Sequence, residues 1–310
     1  MPDEVGAART SPPNPNRSPR AGDNASVLVI GAGFGGIAAA LRMRARGYNV
    51  TLIDRLDAIG GRAQVFERGG FRHDAGPTVI TAPFLFDELF ELFGERRADH
   101  VEFRALDPWY RFYFHTGDQF DYRPSIEDTN DEIRRFSERD VAGYAKLLQV
   151  SKQIFDIGFE KLADKPFTRL TDMLAQIPAL LKLQSYHSVS GIVHKYIKHP
   201  LLRQAFSIRP LLVGGNPFST TSIYSLIHYL ERRWGVFFAM GGTGKLVAAL
   251  DGLLRRAGVT VVLGQDIAQI DVQNGRAIGA TTLDGQFYAA DKVICTADPP
   301  TVYSQMLPSH

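Results

Sequence analysis

The sequence predicts an α/β protein whose first folding unit is a strand, a helix and a second, parallel strand. Residues 27–30 are four consecutive aliphatic residues, as in a buried parallel strand. A glycine-rich turn follows at 31–36, a helix-forming segment covers 37–46, and Gly47 ends that segment. Residues 49–53 form the next strand-like run. This order and spacing are typical of the βαβ unit of a dinucleotide-binding Rossmann domain.

The spacing of the glycines indicates that the turn holds a phosphate group. Gly31 permits a tight turn after the strand, and Gly33 lets the backbone approach a pyrophosphate closely. Gly36 allows the helix to pack against the strand. Phe34 and Gly35 lie at the start of the helix, where free N–H groups bind anions. We therefore expect a dinucleotide pyrophosphate at this turn.

The residues after the second strand narrow the choice of dinucleotide. Asp54 follows Gly36 by 18 residues, where an acid accepts hydrogen bonds from a ribose hydroxyl and repels the 2′-phosphate of NADP. Gly60 and Gly61 allow a second backbone segment to approach the same dinucleotide, and Arg62 can contact a phosphate or the flavin side. The Asp-x5-Gly-Gly-Arg spacing resembles the extended FAD motif of amine-oxidase and desaturase-type flavoproteins. FAD is therefore the predicted cofactor.

Composition excludes several other classes of function. The 310 residues, 45% of them hydrophobic, suffice for a large core and more than one domain. A net charge of +2, without a basic block interleaved with aromatics, predicts no nucleic-acid partner. A single cysteine, Cys295, leaves no disulfide framework or cysteine metal cluster, and the eight histidines are scattered, so we expect no metal. Residues 24–41 are uncharged, but their glycine spacing argues against a membrane anchor.

The composition and the hydrophobic periodicity of the chain predict four parts: a disordered tail at 1–23, a first nucleotide-binding part at 24–105, an inserted region at 106–235, and a second nucleotide-binding part at 236–310. In the inserted region, aromatic runs around residues 116–118 predict a hairpin whose side chains either line an apolar cavity or fill a core. In the last part, strands are expected at 259–263, 267–272, 277–283 and 286–290, and residues 293–296 are expected to rejoin the parallel sheet. Residues 241–245 resemble part of a phosphate loop, but without the full spacing we interpret them as a flexible turn into a helix.

Residues 125–233 show the three-and-four spacing of apolar residues that is typical of helices. Within them, the strongly apolar segment 170–183 is flanked by Arg169 and Lys182, with Lys195 and Lys198 further along. Such a helix either lies in a membrane interface or packs on its own domain.

Runs along most of the chain are similar to the bacterial and fungal phytoene desaturase family of flavin-dependent carotenoid desaturases. The likeness covers about residues 25 to 310. The run at 211–218, Leu-Leu-Val-Gly-Gly-Asn-Pro-Phe, is the most particular to this family. The matching residues are 29–36, 60–63, 71–81, 202–206, 211–218, 222–224, 226–228, 231–232, 234–236 and 241–244.

The resemblance implies an FAD-binding Rossmann-type, amine-oxidase-like domain with an inserted mixed-sheet and helical region that contacts substrate and membrane. It implies desaturation of phytoene or a related water-insoluble polyene. Hydride would pass from an allylic carbon to flavin N5, the neighbouring carbon would lose a proton, and a quinone or oxygen would be the terminal acceptor. Because such a substrate dissolves in the bilayer, the implied location is cytoplasmic and peripheral to the membrane, with segment 170–183 as the favoured contact.

The resemblance also implies further site residues. Gly76, Pro77, Thr78 and Ile267 join the residues above as candidate FAD-binding residues. Asp172 aligns with a family acid suggested to assist proton transfer, although Thr171 replaces the arginine that often accompanies it. An exposed helix acid is the other interpretation of Asp172.

Two other functions stay open. A flavoprotein amine or protoporphyrinogen oxidase shares the first half, but residues 216–218 argue against it. A non-catalytic nucleotide-binding remnant is the second. Members of the desaturase family usually continue beyond this length, with a final glycine-rich segment under the flavin, so we expect the 310-residue chain to be an incomplete and inactive form.

Overall fold

The structure is a computed structural model that describes residues 25–161, 171 and 174–307. These residues form two compact units. Unit 1 comprises residues 25–78, Phe84–Phe103 and 239–307, and unit 2 comprises Val79–Pro83 and the described residues of Arg104–Phe238. Residues 79–83, which the sequence assigned to the nucleotide-binding part, belong to unit 2 because Ile80 exchanges two 2.8 Å backbone hydrogen bonds with Phe237. The predicted tail at 1–23 lies outside the described residues.

The described residues of the two units form the following strands and helices, numbered in chain order. The strands are β1 (Ser26–Ile30), β2 (Asn49–Ile53), β3 (Val65–Arg68), β4 (Phe71–Asp74), β5 (Phe103–Ala105), β6 (Tyr110–Tyr113), β7 (Gln119–Tyr122), β8 (Phe237–Ala239), β9 (Thr260–Val262), β10 (Ile267–Gln273), β11 (Arg276–Thr282), β12 (Phe287–Ala289) and β13 (Lys292–Cys295). The helices are α1 (Phe34–Ala45), α2 (Phe84–Glu91), α3 (Ile126–Phe136), α4 (Glu138–Gly158), α5 (Ile177–Lys182), α6 (Val189–Tyr196), α7 (Pro200–Ser207), α8 (Leu226–Trp234), α9 (Thr243–Arg256) and α10 (Pro299–Thr301).

A four-stranded parallel sheet, in the order β13-β1-β2-β9, organises unit 1. The aliphatic residues of β1 are buried, and α1 covers them with Ile37, Ala40 and Leu41, which share one helix face. In the register, Ile30 lies between Ile53 and Cys295. The predicted βαβ unit and the return of the last strand to the sheet are both confirmed. Three strands therefore end at one edge, where doubly wound folds bind ligands.

Two antiparallel sheets complete the strands of unit 1. β10, β11 and β12 form the predicted meander, and Asn274 and Gly275 make its first turn with the positive φ angles that a two-residue hairpin loop requires. β3 and β4 form a separate two-stranded ribbon. Ile267 and Ile270 of the meander share a buried apolar cluster with Leu28, Ile30 and Ile53, so the meander packs against one face of the parallel sheet.

Unit 2 is mainly helical, and its core is aromatic. The predicted hairpin is present as β6 and β7, and Phe120 and Tyr122 of β7 are fully buried together with Trp109. Their neighbours in the core are Tyr144 of α4 and Phe206 of α7. Of the two interpretations of these aromatics, the described residues support the packed core.

Segment 170–183 is described in part, at residue 171 and from 174 onward. Leu174, Ile177 and Leu181 are between 45% and 60% exposed, whereas Leu183 at the end of the segment is buried. Among the described residues, no helix has both the length and the apolar character needed to cross a bilayer.

Candidate functional site

The glycine-rich turn of unit 1 leaves no room for a side chain at Gly31 or Gly36. Gly31 has φ +101°, and its N–H donates to the Ile53 carbonyl at 2.8 Å. A Cβ on Gly36 would lie 1.7 Å from the Gly31 carbonyl oxygen, so α1 begins in backbone contact with the strand that precedes it. Gly33 is the N-cap of α1 and provides no side chain, and the first turn contains no acid. The free N–H groups of this turn and the positive end of the helix dipole therefore form a site for an anion.

Asp54 lies at the end of β2, beside the turn. One carboxylate oxygen accepts the Ala32 N–H at 2.5 Å and the other accepts the Leu56 N–H at 2.9 Å. The backbone of Asp54 bonds to β9 and the loop after it, through the Val262 carbonyl and the Gln265 N–H at 3.0 Å each. The carboxylate is thus held against the loop that would carry the pyrophosphate, where a ribose acceptor is required.

The second pair of glycines contacts the first. The Gly60 N–H donates to the Ala32 carbonyl at 2.8 Å, and Gly33 and Gly60 form an isolated parallel bridge. A Cβ on Gly61 would lie 3.0 Å from the Gly33 Cα. Both Gly60 and Gly61 have positive φ, so the close approach and the turn each favour glycine. Arg62 follows with an exposed side chain next to this double loop.

Two more segments join the double loop from distant parts of the chain. A Cβ on Gly76 would lie 2.3 Å from the Arg62 carbonyl oxygen, so the backbones of these segments touch. The Asp74 carboxylate accepts the Thr243 N–H at 2.8 Å and the Gly244 N–H at 3.2 Å, which caps α9 and complements its dipole. The Thr243 hydroxyl donates to the Pro77 carbonyl. Residues 60–63, 74–77 and 242–244 are therefore one assembly.

The other predicted site residues are placed as follows. Phe34 packs edge-on against Phe86, and Gly35 is exposed with open space around it. Thr78 is exposed at the end of the same segment as Gly76. The Ile267 side chain is buried in the core of unit 1, and its contact with a cofactor stays a prediction. Asp172 lies outside the described residues.

Two structural supports of the site were not predicted from the sequence. Thr296, directly after β13, donates its hydroxyl to the Ile30 carbonyl at 3.0 Å and the Gly31 carbonyl at 3.2 Å. Its oxygen would lie 2.5 Å from a Cβ on Gly31, so it fills the space under the turn. Residues 242–244 are more than the flexible turn inferred from sequence, because Asp74 fixes them.

Unit 2 contains a separate group of buried charges. The side chains of Arg209 and Glu231 have no exposed surface and form an ion pair at 3.0 Å, and the Tyr110 hydroxyl donates to Glu231 at 2.9 Å. Burial raises the pKa of Tyr110, and the Glu231 carboxylate raises it further. Burial also lowers the pKa of His228 well below its usual value, and the neighbouring Arg209 and Arg232 add to this effect. This group contains one full charge pair and a neutral histidine inside an aromatic core.

Within the described residues, no three His, Cys, Asp or Glu side chains are grouped as metal ligands. Unit 1 contains an anion site at the N-terminus of α1, the Asp54 carboxylate beside it, and a second glycine loop in contact with it. This arrangement suits the pyrophosphate and ribose of a dinucleotide. The class defined by fold and site is that of the dinucleotide-binding proteins.

Comparison with known proteins narrows this class. The sequence profile of the flavin-containing amine oxidoreductases matches residues 34–309, so the chain belongs to that family, which implies a flavin cofactor. Among solved structures, an oxidoreductase from Methanosarcina mazei superposes with a TM-score of 0.59 at 19% identity, over 87% of this chain and 58% of that one. Putrescine oxidase also superposes with a TM-score of 0.59, at 18% identity, over 91% and 60%. These two likenesses concern the fold alone.

Among curated relatives, the lycopene-forming phytoene desaturase of a Paracoccus species is 44% identical over 91% of this chain and 56% of its own length. The corresponding enzyme of Pantoea ananas is 43% identical, over 91% and 57%. The neurosporene-forming phytoene desaturase of Cereibacter sphaeroides is 35% identical, over 96% and 57%. The chain thus spans a little over half the length of these relatives.

Proposed function

We propose that this protein takes part in FAD-dependent desaturation of phytoene or a related carotenoid precursor. The observation that carries the proposal is the assembly of four distant segments, at residues 31–36, 60–63, 74–77 and 242–244, around the N-terminus of α1. The resemblance to phytoene desaturases at up to 44% identity supports the choice of substrate class. Quinone or oxygen is the proposed terminal acceptor.

The described residues fit FAD, because Gly31 and Gly36 are closed by their neighbours, and Gly33, the N-cap of α1, presents no side chain where the pyrophosphate would approach. The first turn of α1 would bind the pyrophosphate, Asp54 the ribose, and Gly60 to Arg62 the dinucleotide from its other side. When bound, the flavin supplies a hydride acceptor for an allylic carbon. The protein's own task is then to position a hydrocarbon that offers no hydrogen bonds and to exclude water.

The substrate class also favours membrane contact, and we propose that the surface around α5 provides it. Leu174, Ile177 and Leu181 are exposed, and so is Tyr186 in the segment after α5. The loop 211–218 adds Leu211, Val213 and Phe218, which are 55% to 76% exposed. Backbone hydrogen bonds of 3.0 Å from Val189 to Thr220 and from Ser190 to Pro217 tie this loop and the residues just after it to the start of α6. An apolar surface of this kind suits a peripheral, cytoplasmic attachment to the bilayer.

Three experiments test the proposal. Expression of the full-length gene in a phytoene-producing host, followed by pigment extraction, should show lycopene, neurosporene or another desaturated product, whereas unchanged phytoene together with flavin-loaded protein would refute the substrate. Co-sedimentation with liposomes should deplete the supernatant, and full recovery there would refute the membrane contact. The proposed proton-transfer role of Asp172 fails if Asp172→Asn turns over at the parental rate.

A further inference from the structure

A basic pocket lies on unit 2. It has a volume of about 390 Å³ and lies where the first turns of α4 meet the end of α6 and the segment after it. Its lining includes four cationic side chains, Arg139, Lys146, Lys195 and Lys198, and all four are exposed. Four positive charges around one depression are the electrostatic signature of an anion site.

The backbone beneath the pocket is held rigidly. A Cβ on Gly143 would lie 2.2 Å from the Tyr196 carbonyl oxygen, so α4 and α6 cross in backbone contact. The carboxylate of Asp140, which is buried, accepts the Lys198 N–H at 2.8 Å and the His199 N–H at 2.7 Å. These two bonds fix the segment that carries Lys198 beside α4. The pocket is thus part of the packed structure and not a gap between mobile loops.

Within the part of the chain that the structure describes, no ion pair neutralises the positive charge of the pocket. Among the described residues, none of the four cations forms an ion pair with a carboxylate within 4 Å. Lys195 donates to the neutral Gln184 amide at 2.7 Å, and Lys198 donates to the Lys195 carbonyl at 3.1 Å. Both oxygens of Asp140, the acid in the lining, are already engaged by backbone N–H groups. Four cations against one carboxylate leave an excess of positive charge.

The position of the pocket indicates which anion it meets. Gln184, the partner of Lys195, donates its own N–H to the Leu181 carbonyl at 3.0 Å, so the basic pocket borders the exposed apolar surface around α5. An apolar surface flanked by cations is the arrangement that binds the interface of anionic bilayers. A soluble anion would not need the neighbouring apolar side chains.

We propose that this pocket binds a phosphate group, and that an anionic membrane phospholipid carries it. The choice of lipid rests on the membrane contact proposed above, whereas the pocket itself does not depend on flavin or on desaturation. Apolar contact and headgroup binding are separable, because only the second requires a negatively charged lipid.

The test is co-sedimentation of the 310-residue chain with vesicles of phosphatidylcholine alone or mixed with phosphatidylglycerol. The pocket variant is Arg139→Gln/Lys146→Gln, and the matched control is Arg135→Gln/Lys152→Gln, which removes the same charge from α3 and α4 outside the pocket. We expect phosphatidylglycerol to strengthen binding of the parent and the control, and the pocket variant to bind the mixed vesicles about 10- to 30-fold more weakly. All three proteins should bind pure phosphatidylcholine equally.

Three outcomes would overturn the proposal. If the pocket variant and the control lose vesicle binding equally, the binding depends on diffuse surface charge and not on the pocket. If phosphatidylglycerol does not strengthen vesicle binding of the parent, the pocket does not bind an anionic headgroup. Inorganic phosphate, titrated against chloride at equal ionic strength, should displace the parent from mixed vesicles; if it binds the pocket in calorimetry while phosphatidylglycerol has no effect, the pocket serves a soluble anion. Melting curves check that the variants are folded, and Lys146→Gln alone should show an intermediate loss.

Discussion

The geometry of the glycine turn predicts that alanine substitutions at two neighbouring positions of α1 have different effects on stability. Gly36→Ala places a Cβ 1.7 Å from the Gly31 carbonyl oxygen and 2.9 Å from its carbonyl carbon. Gly35→Ala places a Cβ where no atom lies within 4 Å. Both residues are in the first turn of α1, and neither has a positive φ. The two substitutions therefore add the same methyl group in opposite surroundings.

The magnitudes follow from these surroundings. Alanine in place of glycine stabilises a helix by roughly 0.5–1 kcal/mol, which is the whole effect expected for Gly35→Ala. For Gly36→Ala the helix and the strand must separate by at least ~1 Å, and overpacking of this kind costs roughly 1–3 kcal/mol or more. Because both variants gain the same helix propensity, their free energies of unfolding should differ by the overpacking cost, about 1–3 kcal/mol or more, which corresponds to several degrees in melting temperature.

The assay is thermal and urea unfolding of the flavin-free chain, followed by absorbance in the flavin bands after incubation with FAD. Gly36→Ala should melt below the parent and retain little flavin, because the turn must open to accept the methyl group. Gly35→Ala should melt at or slightly above the parent temperature. Any loss of flavin in that folded variant would place the pyrophosphate directly over Gly35. Equal stability of the two variants would refute the claim that backbone contact at Gly36 fixes the turn.

Three further perturbations test other parts of the structure. Asp54→Asn removes a charged acceptor beside the glycine turn, so the dissociation constant for FAD should rise about 10- to 100-fold in a fluorescence titration, and an unchanged constant would contradict its role. Arg209→Met leaves Glu231 unpaired in the core and should cost about 3–5 kcal/mol in urea unfolding, whereas Arg209→Met/Glu231→Leu should recover most of that loss. Because His228 has a lowered pKa in the fold, the unfolded chain binds the extra proton, so stability should be full above about pH 6.5 and fall below it. The slope between about pH 5 and pH 6.5 should flatten in His228→Phe, and a parallel slope would assign the effect to another group.

Sequence reasoning succeeded where the required residues are close together in the chain. The βαβ unit is encoded within about thirty residues, because the strand, the turn glycines and the helix are consecutive, and each residue type has one steric task. The hairpin around residues 116–118 and the turn at Asn274 and Gly275 are local in the same sense. The strand-like run at residues 293–296 was predicted to return to the first sheet, and β13 does pair with β1.

What the sequence did not indicate depends on contacts between distant segments. Thr296 lies 265 residues from Gly31, and no local pattern marks a threonine as the support of a turn. The cap of α9 by Asp74 spans 169 residues and turns an apparently flexible glycine pair into a fixed one. The buried pair of Arg209 and Glu231 likewise escaped notice, because charged residues are usually exposed and neither lies in a motif with known spacing.

These long-range contacts explain why the site needs more than its glycines. The turn at Gly31 is supported from below by Thr296 after β13, and the loop at Gly60 is in contact with Val247 of α9. The free N–H groups at the start of α1 bind an anion only while the turn keeps its shape, so residues near both ends of unit 1 determine the affinity of one anion site. Thr296→Val keeps the shape of the side chain and removes the hydroxyl. This substitution should weaken flavin retention although it replaces no residue that is proposed to contact the dinucleotide. If Thr296→Val retains flavin as the parent does while Gly36→Ala loses it, the geometry of the turn resides in its glycines alone and β13 only closes the sheet.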